Sequence, residues 1–151
     1  MTEYKSKTGT VSRPRHELYM AFTDLSNFKR MLPEDKQAAI NADFDTLSAD
    51  FQGMSFGVKV HQRVPYSKIE LVDWGAPLAF HATLFFDEAM SSPLKTDFHI
   101  ELEAELNFML KMVAGPKIKS ALDKIVDSLV DISEGRMPEG MDPSVFDSMQ
   151  K

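Results

Sequence analysis

A chain with no cysteine must do any chemistry through histidine, tyrosine, hydroxyls and carboxylates. The four histidines, His16, His61, His81 and His99, fall in separate segments. None has a second histidine or a carboxylate at the spacing of a metal site, so no metal ligand is assigned. His81 alternates with Phe80, Ala82 and Leu84, which turns it away from their apolar face. Turned inward instead, it would orient a ligand or move a proton. Gln62 follows Phe56, Val58 and Val60 at a spacing of two, which aims its amide toward the interior. An unpartnered buried amide costs about 1–3 kcal/mol, so a ligand, water or neighbouring chain segment must meet it there. A strand end at which Gln62 reaches solvent is the competing reading. Tyr4, Ser6, Thr8 and Thr10 form a ladder of hydroxyls that either faces a cavity or pairs across a strand edge. No glycine-rich phosphate loop, HExxH or GxSxG occurs, so the expectation is no cofactor and no catalytic residue.

The elements that must position these side chains follow from periodicity. Tyr4 to Ser12 alternates as a strand, Ser12 stands as a cap before a helix led by Pro14, and Leu18, Tyr19 and Phe22 share one helical face. Asp24 or Ser26 starts a second short helix carrying Leu25, Phe28, Met31 and Leu32, which Pro33 ends. From Ile40 onward short strands are punctuated by turn residues, which predicts an antiparallel meander. In its last strand Phe98, Ile100, Leu102, Ala104 and Leu106 alternate with Asp97, His99, Glu101, Glu103 and Glu105, giving one dry face and one solvated one. The acidic row is read as that solvated surface. A long helix follows, with Gly115 and Pro116 near its first turns. Ile118, Leu122, Ile125, Val126, Leu129 and Ile132 form its apolar stripe, which must press on the dry sheet face. Gly135 closes it, and 136–151 is read as a tail, with Val145, Phe146 and Met149 as one docking turn at most.

Composition bounds the function. A chain of 151 residues suits one domain and one core. The 17 basic residues against 23 acidic ones give a net charge of -6, a field that repels phosphate backbones. Nucleic acid is therefore not expected as a partner. The polar N-terminus and the lack of a long apolar run predict a soluble protein without stable membrane insertion, and the absence of cysteine fits the cytoplasm. Eleven Phe and ten Met supply adaptable apolar volume.

Three segments carry a family resemblance: SRPRHELYMAFTDLSNFKRMLP (Ser12 to Pro33), FQGMSFGVKVHQRVPYSKIEL (Phe51 to Leu71) and AELNFMLKMVAGPKIKSALDKIVDSLVDI (Ala104 to Ile132). Their order resembles the helix-grip fold of the START and birch-pollen-allergen superfamily, SRPBCC. The match is one of layout and hydrophobic pattern. It implies an α+β fold over 1–135, with a curved antiparallel sheet of about seven strands around a long C-terminal helix and two short helices after the first strand. It also implies a cavity for lipids, sterols, polyketides or other apolar molecules.

The expected function is binding or transport of a small hydrophobic ligand. Its expected walls are Phe28, Phe51, Phe56, Val60, Phe80, Leu84, Phe98, Leu102, Met109, Met112, Leu122 and Ile125, with Tyr4 and Gln62 as polar contacts. Two alternatives stand beside it: a polyketide cyclase or dehydratase using cavity polar groups, and a protein-interaction module with a filled core. A homodimer is left open.

Overall fold

The N-terminal strand is broken rather than continuous. In the computed structural model, which describes residues 2–30, 38–51, 54–75 and 78–135, β1 (Thr2–Lys5) and β2 (Gly9–Val11) both pair antiparallel with one later strand. Between them Ser6 takes over the ladder. Its N–H donates to the Ile100 carbonyl at 2.9 Å and its hydroxyl accepts the Ile100 N–H at 2.8 Å. Tyr4 sits opposite Leu102 and Thr10 opposite Asp97, so six steps along this strand match five along its partner. The extra residue reverses the alternation. Thr10 therefore lies on the solvated face, with its hydroxyl on Asp97 Oδ1 at 2.8 Å, and the single-faced hydroxyl ladder read from the sequence does not form.

Two short helices follow, α1 (Arg15–Thr23) and α2 (Ser26–Arg30). Pro14, not Ser12, is the cap residue of α1, and it supplies no side-chain bond. Asp24 caps α2 by accepting from both the N–H and the hydroxyl of Ser26, at 3.0 and 2.6 Å. The expected continuation through Met31 to Pro33 lies outside the described residues. The meander is β3 (Ile40–Ala42), β4 (Thr46–Phe51), β5 (Met54–Val64), β6 (Lys68–Asp73), β7 (Phe80–Ala89) and β8 (Ser92–Ala104). With β2 also on β8, these make one eight-stranded sheet in the order β1-β8-β7-β6-β5-β4-β3.

The last element, α3 (Phe108–Ser133), begins where the Asn107 side chain accepts the Leu110 N–H at 2.9 Å. It runs alongside the N-terminal strand. Gly115 lies beside Tyr4, the Lys7 N–H meets Asp123, Gly9 lies against Val126, and the Ser12 N–H donates to the Ser133 hydroxyl at 3.0 Å. Eight strand residues at about 3.4 Å and eighteen helix residues at about 1.5 Å both span about 27 Å, so the two elements stay in step. Gly9 permits the close approach: a Cβ there would meet Val126 Cγ1 at 2.6 Å and Val130 Cγ2 at 2.9 Å. The architecture expected from the sequence is present: a curved antiparallel sheet, short helices after the first strand, and a long C-terminal helix on its apolar face. The tail, 136–151, lies outside the described residues.

Candidate functional site: an apolar groove under the long helix

Pairing register arranges the inner face of the sheet in rows. Phe98 pairs with Phe86 in the first row, and Ile100, Leu84, Ile69 and Arg63 are aligned in the second. Tyr4, Leu102, Ala82, Leu71 and Val60 are aligned in the third, one residue from each of five strands. Beyond it lie Ala104 with Phe80 and, across β5, Val58 with Leu47.

Burial falls from row to row. Phe86, Phe98, Leu84, Ile100 and Ile69 are all buried, covered by α1, on which Phe28 of α2 stacks in turn. There Phe22 stacks on Phe28 at 5.1 Å, on Phe98 at 6.0 Å and on Phe86 at 6.1 Å, so aromatic rings fill this half of the grip. In the third row only Leu71 is buried, while Tyr4, Leu102, Ala82 and Val60 are partly buried, as are Phe80, Val58 and Leu47 beyond. We call this partly covered apolar strip of the sheet face the groove. Its five-strand floor, with strands about 4.8 Å apart, is about 19 Å long.

The start of α3 lies beside this strip, and its apolar side chains are largely exposed. Phe108, Met109, Met112 and Val113 are 75%, 76%, 67% and 66% exposed. At 3.6 residues per turn, Phe108, Lys111 and Met112 fall on the side of Gly115 and Leu122. Met109, Leu110 and Val113 fall on the opposite side. The helix touches down at Gly115, where a Cβ would approach Tyr4 Oη to 3.3 Å, and Leu122, Val126 and Leu129 are buried beyond. Charged groups pin it there. Lys7 pairs with Asp127, which raises its pKa, and Asp123 accepts from Lys119 at 2.9 Å and from the Lys7 N–H at 2.6 Å. The Lys119 bond, then the Lys7 N–H, hold the Asp123 pKa below the ordinary carboxylate value.

The residues expected to form walls thus divide. Tyr4, Val60, Phe80 and Leu102 line the groove, with Phe56 at its open end, 38% exposed. Phe28, Leu84, Phe98 and Leu122 belong to the filled half or to the contact beneath α3. Met109 faces away from the sheet, and Ile125, expected on the buried stripe, is 51% exposed. Phe51 ends β4, and its side chain lies outside the described residues.

Gln62 requires a correction. A bulge between Val60 and Gln62 shifts the register of β5 against β6, so Gln62 pairs with Glu70 on the outer face and is exposed. The same bulge turns Arg63 inward, a residue the regular alternation hid. Its guanidinium donates to the Thr23 hydroxyl at 2.7 Å, the Thr23 carbonyl at 2.8 Å, the Phe44 carbonyl at 3.0 Å and Asp45 at 2.8 Å. It also lies 4.3 Å over the Phe44 ring, and so ties the β3–β4 turn to the end of α1. His81 is on the outer face too, opposite Glu103 and Val72, with Nε2 3.2 Å from Glu70. His99 stacks on Phe85 at 4.6 Å on that face and meets Glu101 at 2.9 Å. Neither imidazole reaches the groove. Among the described residues no group of three or more potential ligands is placed to hold a metal, and no helix is long and apolar enough to cross a membrane.

No family model matches the chain, and no curated protein matches it. Solved structures do. A protein from Thermobifida fusca superposes with a TM-score of 0.67 at 10% identity, covering 92% of this chain and 99% of that one. Norcoclaurine synthase from Thalictrum flavum gives 0.63 at 10% identity, covering 87% and 85%. The Aha1 dimer from Colwellia psychrerythraea gives 0.58 at 14% identity, covering 86% and 97%. Identities this low speak to architecture alone, and together with the strand order and the long C-terminal helix they show that the chain has the helix-grip fold.

Proposed function

We propose that the groove binds a small, elongated apolar molecule, and that the protein is a carrier or sensor of that molecule rather than an enzyme acting on it. The observation that carries this reading is the contrast within one sheet face. One half is closed by stacked phenylalanines, while in the next row Tyr4, Leu102, Ala82 and Val60 are only partly buried and the apolar start of α3 nearby is largely exposed. Covering apolar surface is favourable by about 25 cal/mol per Å², so an apolar occupant gains what the protein's own side chains leave unburied. The Tyr4 hydroxyl, at the edge of the row beside Gly115, is a polar group available to orient it. Carrier and sensor readings are also consistent with the helix-grip fold.

A cyclase or dehydratase would need an acid and a base meeting in the groove. His81 and Glu70, paired on the outer face, do not meet that need. The aromatic packing of Phe22, Phe28, Phe86 and Phe98 favours, in its half of the grip, the filled-core interaction module.

Filling the third row separates these readings. Ala82→Phe places a ring in the middle of this row, between Leu71 and Leu102. The expected outcome is loss of thermal stabilisation by long-chain fatty acids, sterols or aromatic polyketides, with the unliganded melting temperature kept. No stabilisation of the parent protein by any of these ligands favours the filled-core module.

A further inference from the structure

We propose that the first turns of α3 dock on an anionic lipid surface. Five large apolar side chains, Phe108, Met109, Leu110, Met112 and Val113, are 45% or more exposed within two turns of one helix. Three of them, Met109, Leu110 and Val113, project away from the sheet, where neither the groove nor the core can use them. The occupant is indicated by charge. The chain carries -6 overall, yet from Leu106 to Leu122 it contains Lys111, Lys117 and Lys119 and no acid. Lys111 and Lys117 are exposed, and at helical spacing Lys117 shares the outward side with Val113 and Leu110. Lys119 is held by Asp123. Of the neighbouring acids, Glu101 and Glu103 alternate with buried Ile100 and Ala104 and so lie on the other face of the sheet. Glu105 lies before the helix and is exposed.

An exposed apolar helix surface that carries Lys117 on its outward side, with exposed Lys111 on the Gly115 side of the same two turns, fits the interfacial zone of a bilayer with negative headgroups, where chains bury and ammonium groups meet phosphate. A purely apolar partner would leave the lysines unmatched. Lipid docking stands on its own observations and does not require the groove to hold a ligand.

The test is flotation of the purified chain with vesicles of phosphatidylcholine mixed with phosphatidylglycerol, compared with phosphatidylcholine alone. Binding is expected only to the anionic vesicles, with loss at high salt. Met109→Gln with Leu110→Gln and Val113→Gln should abolish it. Lys111→Glu with Lys117→Glu should weaken it about 30-fold or more, at about fivefold per lysine lost and further for the reversed charge. All five positions are exposed, so circular dichroism and melting should be unchanged, and ligand-induced stabilisation of the apolar-to-Gln variant reports the groove separately. No binding by the parent, equal binding to neutral vesicles, or full binding by both variants overturns the proposal. So does a concentration-dependent dimer that the apolar-to-Gln variant dissolves, which would make this surface an interface between copies.

Discussion

At the scale of single residues, the β5 bulge decides most. It exchanges Gln62 for Arg63 on the inner face, and the two make opposite predictions. Gln62→Leu, on the outer face, should leave ligand-induced stabilisation unchanged within error in a thermal-shift titration. Arg63→Met should cost about 2–4 kcal/mol in urea unfolding, since it strips the Thr23 and Phe44 carbonyls of a charged donor and frees the β3–β4 turn. Asp123 carries a pH dependence. Its pKa is lowered in the folded state, so its contribution is present above the unfolded value and is lost as pH falls through the folded one. Asp123→Asn should therefore flatten stability on the acid side, below about pH 4, and leave the neutral-to-alkaline profile in place. A period of two cannot announce a bulge. Gln62 was legible as polar and Arg63 as charged, but which of them faces inward is set by register against β6, a long-range pairing.

At the scale of elements, the long helix and the N-terminal strand form the unit that sets the depth of the groove. They stay in step over about 27 Å, pinned by Lys7 to Asp123 and Asp127, and pressed together at Gly9. Gly9→Ala should destabilise by about 1–3 kcal/mol, because Val126 and Val130 must move. A double-mutant cycle with Val126→Ala should then show favourable coupling between the two changes, and strict additivity would mean that the strand and helix are not in contact there. The order of elements, the meander and the apolar stripe of α3 were legible, because each rests on local periodicity. The broken first strand was not: Ser6 replaces a backbone ladder group with its hydroxyl, and such a substitution leaves no trace in alternation. Ile125 fits the helical pattern as well as Leu122 does, yet is half exposed, because the pattern marks a stripe wider than the strip of sheet that receives it.

At the scale of the whole molecule, one sheet face serves two purposes. Stacked aromatics around Phe22 close one end and supply cohesion, so Phe86→Ala should cost about 3–5 kcal/mol in denaturant unfolding. The other end keeps a row of apolar side chains only partly buried, next to a helix start whose apolar side chains are largely exposed. Apolar residues fit both ends equally well, and only three-dimensional register tells packed rows from open ones. That is why the expected walls mixed groove residues such as Val60 and Leu102 with core residues such as Phe98 and Leu84. The central claim is that the open row holds an apolar molecule, and native mass spectrometry of the purified chain tests it most directly, followed by denaturing extraction of whatever is bound. The account predicts a mass increment from one small hydrophobic molecule per chain, released on denaturation and absent from Ala82→Phe. A bare mass from the parent, together with no thermal shift across fatty acids, sterols and aromatic polyketides, would contradict it.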